Sequence, residues 1–202
     1  QIFTPKWIVS YMVENTLGKI YLDYESDSDL REQMKYLVSS DSNESNHKID
    51  DITQLTLIDP ACGSGHILVT AFEWLFRMYR EQFYSAENAV KSILTHNLYG
   101  LEIDDRAMQL SRFALLLKAA LMLSESAPRA ARELINNPGE MLPKIYAFPE
   151  NRGFISEEIG TLTDEKYVAE ISKAFDLLRE GKNLGSVIKL NLSDDVQQTL
   201  QS

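Results

Sequence analysis

The sequence predicts an α/β domain in which helices flank a parallel sheet. Residues 55–58 are a short, apolar and partly β-branched run typical of a buried strand, and residues 98–103 and 145–148 are predicted to form two further strands. Segments with apolar residues at helical spacing separate these runs, and such alternation is typical of βαβ units with parallel strands. A tight turn at 59–65, with glycines at 63 and 65, follows the first run directly. These observations define the fold class.

The N-terminal segment is predicted to be an amphipathic helix that ends near Gly18. Thr4 is a favourable N-cap residue, and Pro5 suits the first helical position. The expected apolar face is formed by Trp7, Ile8, Tyr11 and Met12.

Four further helices are predicted after the glycine turn. Ser85 and Asp104 are expected to cap the second and third of them. The fourth follows residue 154 and precedes a turn at 181–185 and an apolar pair at 187–188. The expected apolar positions are, in chain order, Ile67, Leu68, Ala71, Phe72 and Leu75; Ala89, Val90, Ile93 and Leu94; Ala107, Leu110, Ala114, Leu117 and Leu121; and Tyr167, Ile171, Ala174, Phe175 and Leu178.

The chain is expected to divide into four parts. Residues 1–22 form the first helix, and residues 23–52 form an exposed acidic connector in which the stretch 39–46 has no hydrophobic periodicity. Residues 53–155 form the α/β core, and residues 156–202 form a helical extension.

The composition of the chain disfavours several classes of protein. The chain has 202 residues, of which 44% are hydrophobic, and 30 acidic residues face 20 basic ones, for a net charge of −10. Such a charge opposes binding to a nucleic-acid backbone by this chain alone. Cys62 is the only cysteine, which excludes an intrachain disulfide, and no apolar run reaches membrane-spanning length. We therefore expect a cytoplasmic protein that does not contact a membrane.

The glycine turn is the candidate ligand site, because backbone N–H groups at a helix N-terminus favour a closely approaching ligand. Gly65 is followed by His66 instead of Lys and Ser or Thr, which disfavours a nucleoside triphosphate. A dinucleotide fits poorly, because Leu68 stands where its fingerprint has a small residue and Glu102 lies 37 residues beyond Gly65, instead of about 20. Asp59 would attract an ammonium or a sulfonium, which favours S-adenosylmethionine.

Three motifs in order resemble those of the adenine-N6 DNA methyltransferases. DPACGSGHIL at 59–68 is similar to their motif I, NLYGLEID at 97–104 to motif II, and FTP at 3–5 to motif X, which precedes motif I in this circular arrangement. NTLG at 15–18 and LGSVI at 184–188 resemble the restriction type IIG and BREX PglX-like group. The resemblance covers about residues 1–190. It implies a Rossmann-like S-adenosylmethionine-dependent methyltransferase fold that is incomplete at the C-terminus.

The resemblance also implies the cofactor-binding residues. Glu102 would hold the ribose hydroxyls, and Ile103 would pack on the adenine together with Phe148. No metal site is expected, because the three histidines lie in dissimilar settings. The residues expected near the methionine end are Thr4, Asp59, Ala61, Cys62, Gly63 and Gly65.

The function implied is site-specific methylation of adenine N6 in DNA, in restriction-modification or phage defence. The family's catalytic motif, Asn or Asp followed by Pro-Pro and an aromatic residue, is absent, and NPG at 137–139 is the nearest string. The chain also begins with Gln1 instead of Met. We therefore expect an inactive cofactor-binding piece of a longer enzyme, with no catalytic residue of its own, whose other regions contact DNA and any further defence subunits.

Two alternatives remain open. The same catalytic signature serves protein-glutamine and RNA N-methyltransferases, and a cofactor fold can persist as a non-catalytic nucleotide-binding module.

Overall fold

The computed structural model describes residues 4–38, 49–148, 165–179 and 193. Its strands are β1 (Leu57–Asp59), β2 (Leu98–Glu102) and β3 (Lys144–Ala147). Its α-helices are α1 (Lys6–Val13), α2 (Lys19–Tyr24), α3 (His66–Glu81), α4 (Ala86–Ser92), α5 (Asp105–Leu123), α6 (Pro128–Asn136) and α7 (Glu165–Arg179). Short π segments span Glu14–Gly18 and Ile93–Asn97, and short 3-10 segments span Asp29–Gln33, Ile52–Gln54 and Gly139–Met141.

The three strands form one parallel sheet in the order β1–β2–β3. Asp59 of β1 pairs with Gly100 of β2, and Glu102 of β2 pairs with Ala147 of β3. Helix α3 packs against β1 and β2, while α5 packs against β2 and β3. The predicted α/β class is confirmed, and the strand ends bring the residues after Asp59 and Glu102 to one edge of the sheet.

Helices α3 and α4 agree with their sequence patterns. Leu68, Ala71, Phe72 and Leu75 are fully buried along α3. The Ser85 hydroxyl accepts a hydrogen bond from the Asn88 N–H over 3.1 Å and so caps α4. The four apolar positions expected after that cap are all buried.

The buried face of α1 differs from the expected one. Val9, Val13 and Leu17 are buried, whereas Trp7, Tyr11 and Met12 are exposed. Thr4 does not cap the helix, which starts after Pro5 without a side-chain cap. Helix α1 carries apolar residues on two adjacent faces, so hydrophobic spacing alone does not predict which of the two faces is buried. The face that packs is the ridge of β-branched and leucine side chains spaced four residues apart.

The buried face of α5 also differs from the expected one. Ser111, Leu115, Ala119 and Leu123 are buried at four-residue spacing. The expected stripe points outward: Leu110, Leu117 and Leu121 have exposed fractions of 53%, 54% and 62%. Close packing accounts for the small residue on this face, because α5 crosses Gly65 of the glycine turn at Ser111 and a larger side chain would not fit there.

The acidic segment after α2 is packed in its first part, although the sequence predicted an exposed connector. Leu30 is buried, and the Glu81 carboxylate of α3 anchors the segment. That carboxylate accepts hydrogen bonds from the Tyr21 hydroxyl at 2.6 Å, the Ser28 hydroxyl at 2.7 Å and the Asp29 N–H at 3.1 Å. Residues 39–48 lie outside the described part of the chain.

The chain divides into two compact units, Gln1–Phe148 and Pro149–Ser202. In the second unit, α7 contains the buried Ile171, and the Ser193 hydroxyl donates to the Glu170 carboxylate over 2.9 Å. Phe3, the turn at 181–185, the pair at 187–188 and the side chains of Phe175 and Leu178 lie outside the described residues. The four expected parts remain a prediction. None of the described helices is both long and apolar enough to cross a membrane.

Candidate functional site

The segment between β1 and α3 is a tight turn with two left-handed glycines. Gly63 has a φ of 54° and Gly65 a φ of 85°, values that L side chains rarely adopt. Gly65 is the N-cap of α3, and its N–H donates to the Cys62 carbonyl over 2.8 Å. The turn therefore lies at the N-terminus of α3, which is the positive end of the helix dipole.

The two glycines differ in their surroundings. A Cβ atom on Gly65 would lie 3.1 Å from Cβ and 3.3 Å from Cα of Ser111 in α5, and closer still to the Ser111 hydroxyl. A Cβ atom on Gly63 would meet no atom of the described residues within 4 Å. Gly65 is therefore required for both its φ angle and the close approach of α5, whereas Gly63 is required only for its φ angle.

Gly100 in the middle of β2 makes room for the turn. A Cβ atom there would lie 3.0 Å from a Leu68 methyl carbon and 3.1 Å from the Cys62 sulfur. The Cys62 N–H donates to the Leu101 carbonyl over 3.0 Å, which ties the turn to β2. Sequence reasoning missed the roles of Gly100 and Ser111. A glycine inside a predicted strand signals such an approach, whereas the sequence carries no comparable signal for Ser111.

Cys62 is a packing residue of the turn. Its side chain is buried, and burial raises the pKa of the thiol. The thiolate that a nucleophile requires is therefore disfavoured.

Asp59 is a buried carboxylate at the end of β1. Only 7% of the residue is exposed, and its Oδ1 accepts a hydrogen bond from the Ala61 N–H over 3.1 Å. Oδ2 is buried and has no hydrogen-bond partner among the described residues. Burial raises the pKa of Asp59, the Ala61 hydrogen bond lowers it, and the negative charge of Glu102 raises it further. An unpaired buried acceptor of this kind is stabilised by a cationic donor.

Glu102 joins the end of β2 to the turn. Its Oε2 accepts a hydrogen bond from the Gly63 N–H over 2.6 Å, while Oε1 accepts from the N–H groups of Ile103 at 2.8 Å and Asp104 at 3.2 Å. An ionised carboxylate offers about four acceptor positions, so about one remains for a ligand unless the Gly63 N–H is released.

The expected adenine-packing residues lie at the same edge of the sheet. Ile103 and Phe148 are each 52% exposed. The Phe148 N–H donates to the Glu102 carbonyl over 2.8 Å, which holds the end of β3 beside the end of β2. Asp104 caps α5 by accepting from the Arg106 N–H over 2.8 Å, as expected.

Thr4 is the expected site residue that shows no link to the others. It is exposed at the start of the described chain. No hydrogen bond among the described residues connects it to the turn or to Glu102.

A largely apolar cavity of about 340 Å³ opens beside β1. Its wall includes Met12 and Thr16 from the N-terminal helices and Ile67 at the start of α3. Asp59 and Pro60, at the start of the turn, also line it. The site thus combines a buried carboxylate, an apolar surface and a glycine turn within one unit of the fold.

A glycine turn after the first parallel strand and a carboxylate at the end of the second are the arrangement of a nucleotide-binding α/β domain. The family model described as the DNA-methyltransferase domain of MmeI matches residues 38–143, which is more than half of the chain. The chain belongs to this family.

Two curated relatives agree with this assignment. The chain is 41% identical over 128 residues to the adenine-specific methyltransferase BrxX of Escherichia coli O9:H4 (strain HS), an alignment covering 59% of this chain and 11% of BrxX. It is 31% identical over 211 residues to the adenine-specific methyltransferase PglX of Lacticaseibacillus casei (strain Zhang), covering 96% of this chain and 16% of PglX. The resemblance to the BREX and restriction-type methyltransferases is confirmed. The chain spans less than a fifth of the length of either relative.

Proposed function

We propose that the turn between β1 and α3, with Asp59 and Glu102, binds S-adenosylmethionine, and that the whole polypeptide methylates adenine N6 in DNA. The observation that carries the proposal is the buried, unpartnered Oδ2 of Asp59 beside the glycine turn. The membership in a DNA-methyltransferase family and the adenine-specific relatives support the proposed reaction.

Asp59 would pair with the cationic amino-acid end of the cofactor. The residue is 7% exposed and one carboxylate oxygen has no partner among the described residues, so an ammonium there would offset the desolvation cost of this buried carboxylate. Ala61, Cys62, Gly63 and Gly65 would supply the backbone that surrounds this end. A phosphate would be repelled by the same carboxylate.

Glu102 would hold the ribose hydroxyls. Two hydroxyl donors exceed its remaining acceptor capacity, so ribose binding would release the Gly63 N–H from Oε2. Ile103 and Phe148 would pack on the adenine, since both present exposed apolar surface at that edge. Thr4 is proposed to contact the methionine end on the motif resemblance alone.

The proposed reaction divides between this chain and the rest of the polypeptide. The cofactor supplies an electrophilic methyl group on a sulfonium. The residues described here would orient the cofactor, while the target adenine would be flipped out and held by residues that this chain lacks, because it contains no Pro-Pro-aromatic motif. Catalysis of this kind depends on positioning and needs no covalent enzyme intermediate. We further propose cytoplasmic restriction or phage-defence subunits as partners.

Calorimetry with S-adenosylhomocysteine tests the cofactor proposal. The wild-type chain should bind, and Asp59→Asn should weaken binding by roughly tenfold or more, because a charge-assisted pair contributes about 1.5–3 kcal/mol. Asp51→Asn is the matched control: its carboxylate accepts the Thr53 N–H over 2.7 Å before β1, away from the turn. Equal affinity for all three proteins would refute the role of Asp59, and no binding by the wild type would refute the site.

A methyl-transfer assay tests the division of labour. Labelled S-adenosylmethionine and plasmid DNA are incubated with the 202-residue chain and, in parallel, with a longer polypeptide that contains it. The chain alone should leave adenine unlabelled, since its net charge of −10 opposes duplex binding and it has no adenine-holding motif. Labelled adenine from the chain alone would contradict this. Labelled protein or RNA from the longer polypeptide would favour the alternative methyltransferases.

A further inference from the structure

The outward face of α5 is an exposed apolar stripe. Leu110, Phe113, Leu117 and Leu121 are 53%, 57%, 54% and 62% exposed and lie three or four residues apart over three helical turns. Between residues 110 and 121, all the exposed positions of α5 are large and apolar. Contiguous surfaces of this kind mark interaction sites.

The charged residues of this stretch do not solvate the stripe. Arg112 donates to the Ile145 carbonyl, and Lys118 pairs with Glu73 of α3. Both cations are therefore engaged with neighbouring elements. Neither cation would therefore have to be buried without a partner if the stripe packed against another surface.

Opposite charges close the two ends of the stripe. Arg106 is exposed four residues before Leu110, and Glu125 is exposed four residues after Leu121. The Ala127 N–H donates to the Leu123 carbonyl over 2.7 Å, so the backbone keeps a helical turn through Glu125. Neither side chain forms an ion pair with the residues that the structure describes.

This arrangement is self-complementary when two copies of α5 run antiparallel. The residue pairs 106 and 125, 110 and 121, and 113 and 117 share a midpoint near residue 115. A two-fold axis at that point would place Leu110 against Leu121 and Arg106 against Glu125 of the other copy. An isologous interface requires such reciprocity between positions.

From this symmetry, we infer that the outward face of α5 is a docking surface for a second copy of the same chain, in an antiparallel two-fold dimer. One helix pair buries less surface than the roughly 1,600 Å² of a standard interface. Association is therefore reversible and concentration-dependent. This inference is independent of the proposed function.

Sedimentation of the 202-residue chain at increasing concentration tests the inference. Moderate ionic strength screens the repulsion between two copies that each carry a net charge of −10. The wild type should shift from monomer to dimer. Leu117→Glu should raise the dimer dissociation constant roughly a hundredfold, because each copy would bury an unpaired charge near the centre of the interface. Phe83→Asn is the control, since Phe83 is 97% exposed and lies outside α5; it should leave dimerisation unchanged.

A charge swap distinguishes the antiparallel dimer from other associations. Arg106→Glu and Glu125→Arg should each weaken the dimer by roughly tenfold, and the double variant should restore it. Thermal unfolding verifies that each variant is folded. A wild-type chain that stays monomeric at every attainable concentration would overturn the inference and leave this face to another part of a longer polypeptide. A dimer that survives Leu117→Glu, or a double swap that does not recover, would overturn it equally.

Discussion

Replacing Gly65 with alanine should destabilise the chain far more than the same change at Gly63. Both glycines are left-handed, with φ values of 85° and 54°, so each substitution carries a backbone cost of about 1–2 kcal/mol. Only at Gly65 does the new methyl group meet α5, 3.1 Å from Cβ of Ser111. Overpacking adds about 1–3 kcal/mol. The expected totals are about 2–5 kcal/mol for Gly65→Ala and about 1–2 kcal/mol for Gly63→Ala.

Thermal unfolding measures the difference, at about 2–4 °C per kcal/mol for a protein of this size. Gly139→Ala is a further control, because Gly139 has a φ of 52°, lies outside the turn, and has no atom of the structure's described part within 4 Å of its Cβ position. The double variant Gly65→Ala with Ser111→Gly separates the cost of the left-handed φ angle from the cost of the clash with Ser111. It should regain the stability lost to the clash but not the stability lost to the φ angle.

Equal destabilisation by Gly63→Ala and Gly65→Ala would refute the role assigned to Ser111. The same holds if Ser111→Gly fails to improve Gly65→Ala. No atom of the described residues lies within 4 Å of a Cβ position on Gly63, so only its φ angle restricts a side chain there.

Four further predictions concern single residues. Asp59→Asn should raise the melting temperature at neutral pH, because burial raises the pKa of Asp59 and its ionised form costs stability; the gain over wild type should vanish as the pH falls below about 4. Glu102→Ala should weaken S-adenosylhomocysteine binding in calorimetry by about 1–3 kcal/mol, the cost of an unmatched partner, whereas Glu102→Gln, which keeps an acceptor oxygen, should lose less. Asp104→Ala should lower stability by about 1 kcal/mol through loss of the α5 cap, with unchanged affinity. Phe83→Gly should raise the melting temperature, because Phe83 has a φ of 62° at 97% exposure and loses strain without losing packing.

The sequence predicts the elements around the turn because several local signals agree there. An apolar run, two glycines and a following helical stripe lead to β1, the left-handed turn and α3, and the cap at Asp104 is equally local. The carboxylates of Asp59 and Glu102 meet at one edge because parallel strands end together. Their roles toward a cofactor remain predictions.

The faces of α1 and α5 could not be predicted from hydrophobic spacing. Both helices carry apolar residues on more than one side, so the pattern does not identify the side that packs. In α5 the choice depends on the distance between Ser111 and Gly65, which are 46 positions apart in sequence. The π segments at Glu14–Gly18 and Ile93–Asn97 have no sequence signal that predicts them.

The second π segment ends at Asn97, a residue that positions the candidate site without being part of it. The buried Asn97 donates to the carbonyls of Ile52 at 3.1 Å and Leu55 at 2.7 Å, and it accepts from the Tyr79 hydroxyl at 2.9 Å. Burial raises the pKa of Tyr79 to about 12, so the hydroxyl keeps its proton. Strand β1 has only three residues, and a slip of one position would turn Asp59 to the opposite face of the sheet. The Asn97 side-chain amide, just before β2, thus fixes the register of β1, the strand that carries Asp59. Asn97 therefore positions a site that it does not contact.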